Sequence, residues 1–360
     1  MMPLDERPEH WGMMAFSVHL PEAHMVTPKI PIIDIAPYFE GSPTGKQRVA
    51  DAVDRACREI GFLVISGHGI EPQTITAMRE VSRRYFALPV EEKLRLRMPT
   101  DRYRGYTPMG SEGLAASLDQ VAPPDLKESF SIGPVRVPDD EYHKGPQAGP
   151  FFADNFWPDQ PEDMRAVWET YYLAMEQLAT SLMRIFALAL GLPEHWFDDK
   201  VDRHITNFSV IHYPEPVGEP PSGQLRAGAH TDYGSLTILQ KDDAPGGLQV
   251  QGHDGSWLEV PHVPGSFVVN LGDLMAEWTN DRWRSTMHRV VMPDTEERSH
   301  SDRYSMAFFH QPNYDAVIEC IPTCCSADRP ARYGKTTSGE HVVMKIEKHR
   351  APDQVNTDGA

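Results

Sequence analysis

The run HTDYGSLTIL, residues 230–239, places an imidazole and a carboxylate two positions apart at the mouth of a segment that reads as β-strand. Side chains two apart on a strand project from the same face, so His230 and Asp232 would reach one point while Thr231 faces away. Two ligands do not make a site, and a third must come from elsewhere. His288, at the entry to the strand-like HRVVM, is the best candidate. Two histidines and one carboxylate on three corners of an octahedron are the facial arrangement of non-haem Fe(II) oxygenases. It leaves three positions open, so that iron can hold a chelating co-substrate and O2 together.

A second pair has the same geometry. In RYSMAFF, Arg303 and Ser305 share one strand face. An arginine fork beside a fixed hydroxyl is a clamp for a carboxylate. A buried guanidinium with no anion is costly, so an inward-facing Arg303 implies a bound acid. The remaining histidines singled out, His68, His204, His212, His253, His262 and His310, read as packing or surface residues. Asp273, in NLGD, reads as a turn-forming aspartate, with orientation of a metal ligand from behind as the alternative.

The elements that must carry these groups fall into three regions. KIPIIDIAPYF (29–39) reads as a short buried strand. QRVADAVDRACREIGF (47–62) repeats Val49, Val53, Ala56 and Ile60 at helical spacing, FLVISGHGI (62–70) is a strand closed by glycine, and a helix runs from about Pro72 to Leu88. Residues from about 95 to 160 hold Pro, Gly and Asp clusters with little periodicity, which predicts a long, mobile loop region. From Pro161 to Leu190 the spacing of Met164, Val167, Trp168, Tyr171, Met175, Leu178, Leu182 and Ile185 predicts a scaffold helix with a core-facing stripe. After residue 203 come short strands (SVIHY, SLTIL, GLQV, SWLEV, SFVVNL, HRVVM, RYSMAFF), the pattern of an all-β barrel or sandwich, with a hairpin turn at HDG, 253–255.

Composition narrows the partners. With 52 Asp and Glu against 34 Lys and Arg, the formal charge is −18. That surface repels a phosphate backbone and an anionic membrane face, which argues against nucleic acid and membrane as partners. No window approaches the roughly 18–20 apolar residues of a membrane span, and the N-terminus reads as untargeted, so the expectation is a cytoplasmic protein, monomeric or a weak homo-oligomer. Four cysteines, Cys57, Cys320, Cys324 and Cys325, are too few and too unevenly placed for a disulfide framework and suggest a reducing compartment. CIPTCC lacks paired CxxC units and a nearby ligand histidine, so it reads as ordinary thiols in a loop.

HTDYGSLTIL, GDLMAEWTNDRWRSTMHRV and RYSMAFFHQPN together resemble the C-terminal domain of the 2-oxoglutarate and Fe(II)-dependent dioxygenases related to isopenicillin N synthase. IPIIDIAPYF, REIGFLVISGHGI and RYFALPVEEKLRL resemble the region that precedes it, so the likeness spans roughly 29–345. It implies a mainly β fold with α, a distorted double-stranded β-helix or jelly roll wrapped by N-terminal and scaffold helices. The implied division is an N-terminal region at 29–145, the scaffold helix at 161–190, the jelly-roll domain at 203–314 and a C-terminal extension at 315–360. By position it implies His230, Asp232 and His288 as iron ligands, Arg303 and Ser305 as the clamp for the far carboxylate of 2-oxoglutarate, and Tyr213, in VIHYPEP, as a hydrogen-bonding partner of the co-substrate. Ile211 stands where plant members usually have asparagine, so that polar network differs here.

The implied activity couples decarboxylation of 2-oxoglutarate to succinate and CO2 with hydroxylation, desaturation or cyclisation of a small organic molecule, using Fe(II), O2 and stimulation by ascorbate. The resemblance puts the substrate between the barrel mouth and N-terminal loops, with Tyr103, Tyr106, Phe130, Leu236 and Phe309 as lining candidates. Two other readings stand beside it: an isopenicillin N synthase-like oxidase that uses no 2-oxoglutarate, and a catalytically silent ligand-binding member of the fold.

Overall fold

The computed structural model describes residues 29–99, 102–114, 123–221 and 223–349. Its first part forms β1 (Ile32–Asp34), α1 (Ala36–Phe39), α2 (Pro43–Glu59), β2 (Phe62–Ser66), α3 (Pro72–Phe86) and α4 (Val90–Leu94). The Ser42 hydroxyl accepts from the Gly45 amide and Pro43 fills a position with no amide to satisfy, so α2 starts there. Its Val49, Val53 and Ala56 are buried on one face. β1 is shorter and less buried than expected at 29–39: it is a sheet edge with only Ile33 buried of its three residues, and α1 takes up the rest of that segment.

The region expected as loop from 95 to 160 contains β3 (Gly105–Thr107), β4 (Glu128–Ile132) and α5 (Glu141–Lys144). All five residues of β4 are buried, pairing with β5 (Asn207–Tyr213). Three of the five, Glu128, Ser129 and Ser131, are polar, which hides the strand among turn residues. Their polarity is answered within the fold: the Ser131 and Ser209 hydroxyls, opposite one another on β4 and β5, lie 2.6 Å apart.

α6 (Met164–Ala189) and α7 (Asp198–Val201) precede β5, and α6 buries the expected Met164, Trp168, Tyr171, Met175, Leu178, Leu182 and Ile185, while Val167 is half-buried at the margin of that core. Then follow β6 (Ala227–His230), β7 (Leu236–Lys241), β8 (Leu248–Gln251), β9 (Trp257–Glu259), β10 (Phe267–Leu271), α8 (Asp273–Trp278), β11 (His288–Val290) and β12 (Arg303–His310). Every strand expected after residue 203 is present. β8 and β9 form the hairpin at HDG, with Gly255 at φ 80°, a backbone conformation that favours glycine. β13 (Val317–Ile318), β14 (Thr336–Thr337) and α9 (Ser338–His349) close the described chain.

Eight strands form one sheet in the order β1-β2-β10-β7-β12-β5-β4-β3, and four form a second, β6-β11-β8-β9. Phe62, Val64, Tyr213 and Val268 of the large sheet pack with Ala227, Val250 and Val290 of the small one, giving a jelly-roll interior. The outer face of the large sheet, with Leu63, Ile65, Ile238, Val269 and Phe308, packs under α2, α3 and α6 in a larger core. No helix among the described residues is long and apolar enough to cross a membrane. All four cysteines are free thiols, and three of them, Cys57, Cys320 and Cys324, are buried.

Candidate metal centre and carboxylate clamp

β11 pairs antiparallel with β6 so that His288 lies directly opposite His230, their ring centroids 4.3 Å apart. Asp232 reaches them differently from expectation. β6 ends at His230, so the aspartate stands in a turn rather than on a shared strand face. The turn is set by close backbone approach: a Cβ on Gly234 would lie 2.4 Å from the His310 carbonyl oxygen, and one on Gly272 would lie 2.3 Å from the carbonyl oxygen of Gly234. The first amides of α8, from Asp273 and Leu274, donate to the carbonyls of Asp232 and Tyr233 at 2.8 and 3.1 Å. Asp232 Oδ1 is thereby held 3.9 Å from His230 Nε2 and 3.7 Å from His288 Nε2. Among the described residues this is the one grouping of three or more His, Cys, Asp or Glu side chains with ligand atoms all within 4.8 Å.

Each ligand atom is oriented from behind. Nδ1 of His230 sits 2.7 Å from the Gly228 carbonyl and Nδ1 of His288 sits 3.1 Å from that of Thr286. A carbonyl only accepts, so Nδ1 carries the proton and Nε2 presents its lone pair. Asp232 Oδ2 accepts from Thr237 Oγ1 and Asn270 Nδ2, both at 2.6 Å, which leaves Oδ1 for the metal. Burial, then the neighbouring His288, holds the His230 imidazole below its ordinary pKa. Burial alone would raise Asp232, but the two histidines and the two hydrogen bonds outweigh it and hold the carboxyl below its ordinary range. Two imidazoles presenting Nε2 and one carboxylate presenting Oδ1 form a mixed N/O donor set, which fits a ferrous ion with open positions.

On β12 the odd-numbered residues face the jelly-roll interior. Arg303 is 1% exposed; its Nη1 donates to the Ala244 carbonyl at 3.2 Å and lies 3.7 Å from Asp242, while Nε and Nη2 have no partner. A guanidinium edge buried without acceptors is expensive, and its two parallel donors match a carboxylate. Ser305 stands next on the same face, and Tyr213 lies opposite Arg303 across β5. The residues present therefore fit a dicarboxylic co-substrate reaching from the metal to Arg303.

Four of the five substrate candidates divide by strand parity. Phe309 shares the Arg303 face, half-buried, opposite Thr237 and Asn207. Tyr106, Phe130 and Leu236 lie on the other face, which corrects the expectation that they line the pocket. Phe130 is 0% exposed and packs on Tyr85 and Trp168 at 4.8 and 5.5 Å between centroids. Tyr106 lies opposite Phe130 and its hydroxyl donates to Glu128 at 2.5 Å. Leu236 precedes Thr237, whose hydroxyl holds Asp232, so its side chain enters the helix-side core. Tyr103 is half-buried ahead of β3, its carbonyl accepting from Arg104.

Sequence reasoning missed Thr237, Asn270, Gly234 and Gly272. Gly234 carried a signal, since it stands between a candidate ligand and a strand-like run, and Gly272 ends the run SFVVNL. Asp273 does more than turn the chain: its Oδ2 accepts from Thr231 at 3.2 Å and from Lys345 of α9 at 2.6 Å, tying the segment between two ligands to the C-terminal helix. The other histidines are engaged elsewhere, His204 with Glu176, His212 with Glu128 and Asp302, His310 with Ser235 and His68 with the Gly265 carbonyl.

Comparison with known proteins shows the family. Residues 30–160 match the family described as non-haem dioxygenase in morphine synthesis N-terminal, and residues 205–312 match the 2OG-Fe(II) oxygenase superfamily. A 2-oxoglutarate-Fe(II) type oxidoreductase of Emericella nidulans is 33% identical over 319 residues, 87% of this chain and 88% of the relative. A rice homoarginine-6-hydroxylase is 34% identical over 331 residues, 88% of this chain and 96% of the relative. Among solved structures, a full-length Neurospora crassa protein in complex with alpha-KG and thymine superposes with a TM-score of 0.77 at 33% identity, covering 88% of this chain and 96% of that one.

Proposed function

Because the chain belongs to the 2-oxoglutarate and Fe(II)-dependent oxygenases, we propose that His230, Asp232 and His288 hold its iron and that Arg303, Ser305 and Tyr213 bind its 2-oxoglutarate. The protein is a 2-oxoglutarate- and Fe(II)-dependent dioxygenase that decarboxylates 2-oxoglutarate to succinate and CO2 and oxidises a small organic substrate. When bound, iron and 2-oxoglutarate together activate O2 and supply the oxidant that takes a hydrogen atom from the substrate.

The chain's own residues prepare that chemistry. Gly228 and Thr286 fix the imidazole tautomers, and Thr237 with Asn270 turns one carboxylate oxygen toward them. The jelly-roll interior excludes water around the Arg303 edge, where an ion pair is stronger than in solvent. Phe309, beside Asn207 on the metal-facing side of β12 and β5, lines the substrate side. The domain division at 29–145 and 203–314, a cytoplasmic location and a monomeric or weakly associating state remain part of this reading, as does a small-molecule rather than nucleic-acid substrate given the charge of −18.

The observation that carries the co-substrate assignment is the unpartnered Nε and Nη2 of the buried Arg303. The test is anaerobic titration of the Fe(II) protein with 2-oxoglutarate, followed by the weak visible charge-transfer band of the chelate. Wild type should show the band and His230→Ala should lose it. A band that survives His230→Ala removes that ligand from the assignment, and no band in the wild type favours an oxidase that needs no 2-oxoglutarate.

A further inference from the structure

A second cation stands on the interior face beside Arg303. Lys241, the last residue of β7, lies directly opposite Ser305 of the clamp, and Ser305 in turn lies opposite Ile211. Parity along β7 puts Lys241 inside: Thr237, two pairs earlier, reaches Asp232, while Gln240 accepts from Arg79 of α3 on the helix side. The residue is only 9% exposed, and its ammonium makes no hydrogen bond or ion pair among the described residues. Opposed residues on one sheet face have Cβ atoms about 4.5–5.5 Å apart, and a diagonal neighbour is within reach of a long side chain. Arg303, two residues before Ser305, is that diagonal neighbour of Lys241, so the lysine side chain is within reach of the open edge of Arg303.

We propose that Lys241 is a second cationic contact for the distal carboxylate of the co-substrate, closing on it from β7 while Arg303 closes from β12. This rests on the 2-oxoglutarate reading above and deepens it. It makes the pocket more demanding of a tail anion than a single arginine would, so the site selects 2-oxo acids by tail charge. Without the ligand, the two cations oppose one another and are only partly balanced. The charged groups around Lys241 are Arg303 of β12, Asp242 and Asp243 just after β7, and Glu259 of β9. Asp242 is committed elsewhere through one oxygen, which accepts from the Tyr304 amide at 2.7 Å. Burial, then Arg303, holds the ligand-free lysine down at about 8. An arriving carboxylate favours the charged form, so affinity should be highest below that pH and fall as pH rises past it.

The anaerobic Fe(II) chelate band gives dissociation constants for 2-oxoglutarate and for 2-oxopentanoate, which has the same 2-oxo acid head and an uncharged tail. Lys241→Gln is expected to weaken 2-oxoglutarate about tenfold, leave 2-oxopentanoate within twofold, and flatten the fall in affinity above pH 8. Lys241→Arg is expected to retain selectivity for the charged tail. Lys241→Met, which removes an unpartnered buried charge, should fold at least as stably as wild type and show the same loss of selectivity, so a poorly folded glutamine variant does not end the test. Equal affinities of wild type and Lys241→Gln for 2-oxoglutarate overturn the inference, as does an equal loss for both acids. A wild-type protein with no band at all refutes the co-substrate reading itself, which is a separate result.

Discussion

Thr237→Val tests whether the carboxylate of Asp232 is aimed by its neighbours. Asp232 Oδ2 accepts two hydrogen bonds at 2.6 Å, from Thr237 and from Asn270, and valine keeps the shape of threonine while removing the hydroxyl. A hydrogen bond to a charged group contributes about 1.5–3 kcal/mol. Part of that is lost equally with and without metal and appears as a lower melting temperature, by no more than about 2–4 °C. The rest is orientation: with one donor gone, the carboxylate rotates more freely and Oδ1 spends less time facing the imidazoles. Loss of an outer hydrogen-bond partner typically costs 10–100-fold in metal affinity. Asn270 still holds the same oxygen, so the lower end applies, about tenfold, or about 1.4 kcal/mol. Thr237→Val with Asn270→Ala together should approach about 100-fold if the two donors act independently. The assay is Mn(II) binding followed by electron paramagnetic resonance, with Fe(II) competition under anaerobic conditions. A single variant that binds metal within twofold of wild type while losing thermal stability would refute the orienting role and leave Thr237 as a packing residue.

Three further outcomes follow from the same geometry. Arg303→Gln should raise the 2-oxoglutarate dissociation constant at least about 100-fold, since two charge-assisted bonds are lost, with Mn(II) affinity unchanged; parallel loss of both would show that the interior had collapsed. Phe130→Ala should cost about 3–5 kcal/mol of stability and leave chelate formation intact, whereas Phe309→Ala should lower substrate-dependent succinate release with little change in melting temperature; the reverse pattern would invert the face assignment. His212 lies 2.7 Å from both Glu128 and Asp302, and although burial works against its charged form, the two carboxylates outweigh it and raise its pKa. Its contribution to stability is complete below the unfolded value of about 6.5 and is lost as pH rises through the higher folded value; thermal melts of His212→Gln across pH 5–9 should lack that decline.

Much of this architecture is legible in the sequence because the second half of the chain obeys simple periods. Each of the seven apolar runs after residue 203 is bounded by turn residues and becomes a strand, and the stripe of α6 predicts its buried face. β4 escapes because a period-2 signal needs a polar face that points to water. In Glu128–Ile132 the polar residues point inward or across to other buried groups: Glu128 accepts from Lys93, Tyr106 and His212, and Ser131 pairs with Ser209. Local composition resembles a loop, and only the tertiary partners make it a strand.

The metal triad is legible for a different reason, which also explains what was missed around it. Few side chains can serve as ligands, so His230, Asp232 and His288 stand out by type. Their supports are anonymous: the carbonyls of Gly228 and Thr286 could belong to any residue, and Gly234 and Gly272 matter for the atoms they lack. Pocket lining is anonymous in another sense, because it depends on parity that no residue type announces. Leu236 and Phe309 looked equally suitable, and a single long-range fact separates them. Thr237 must face the metal to reach Asp232, and since Phe309 pairs with Thr237 while His310 pairs with Leu236, Phe309 comes to the interior and Leu236 is carried under the helices. The same count along the same strand brings Lys241 inward beside Ser305. The register that removes one predicted substrate contact therefore supplies a contact that residue type alone would have assigned to solvent.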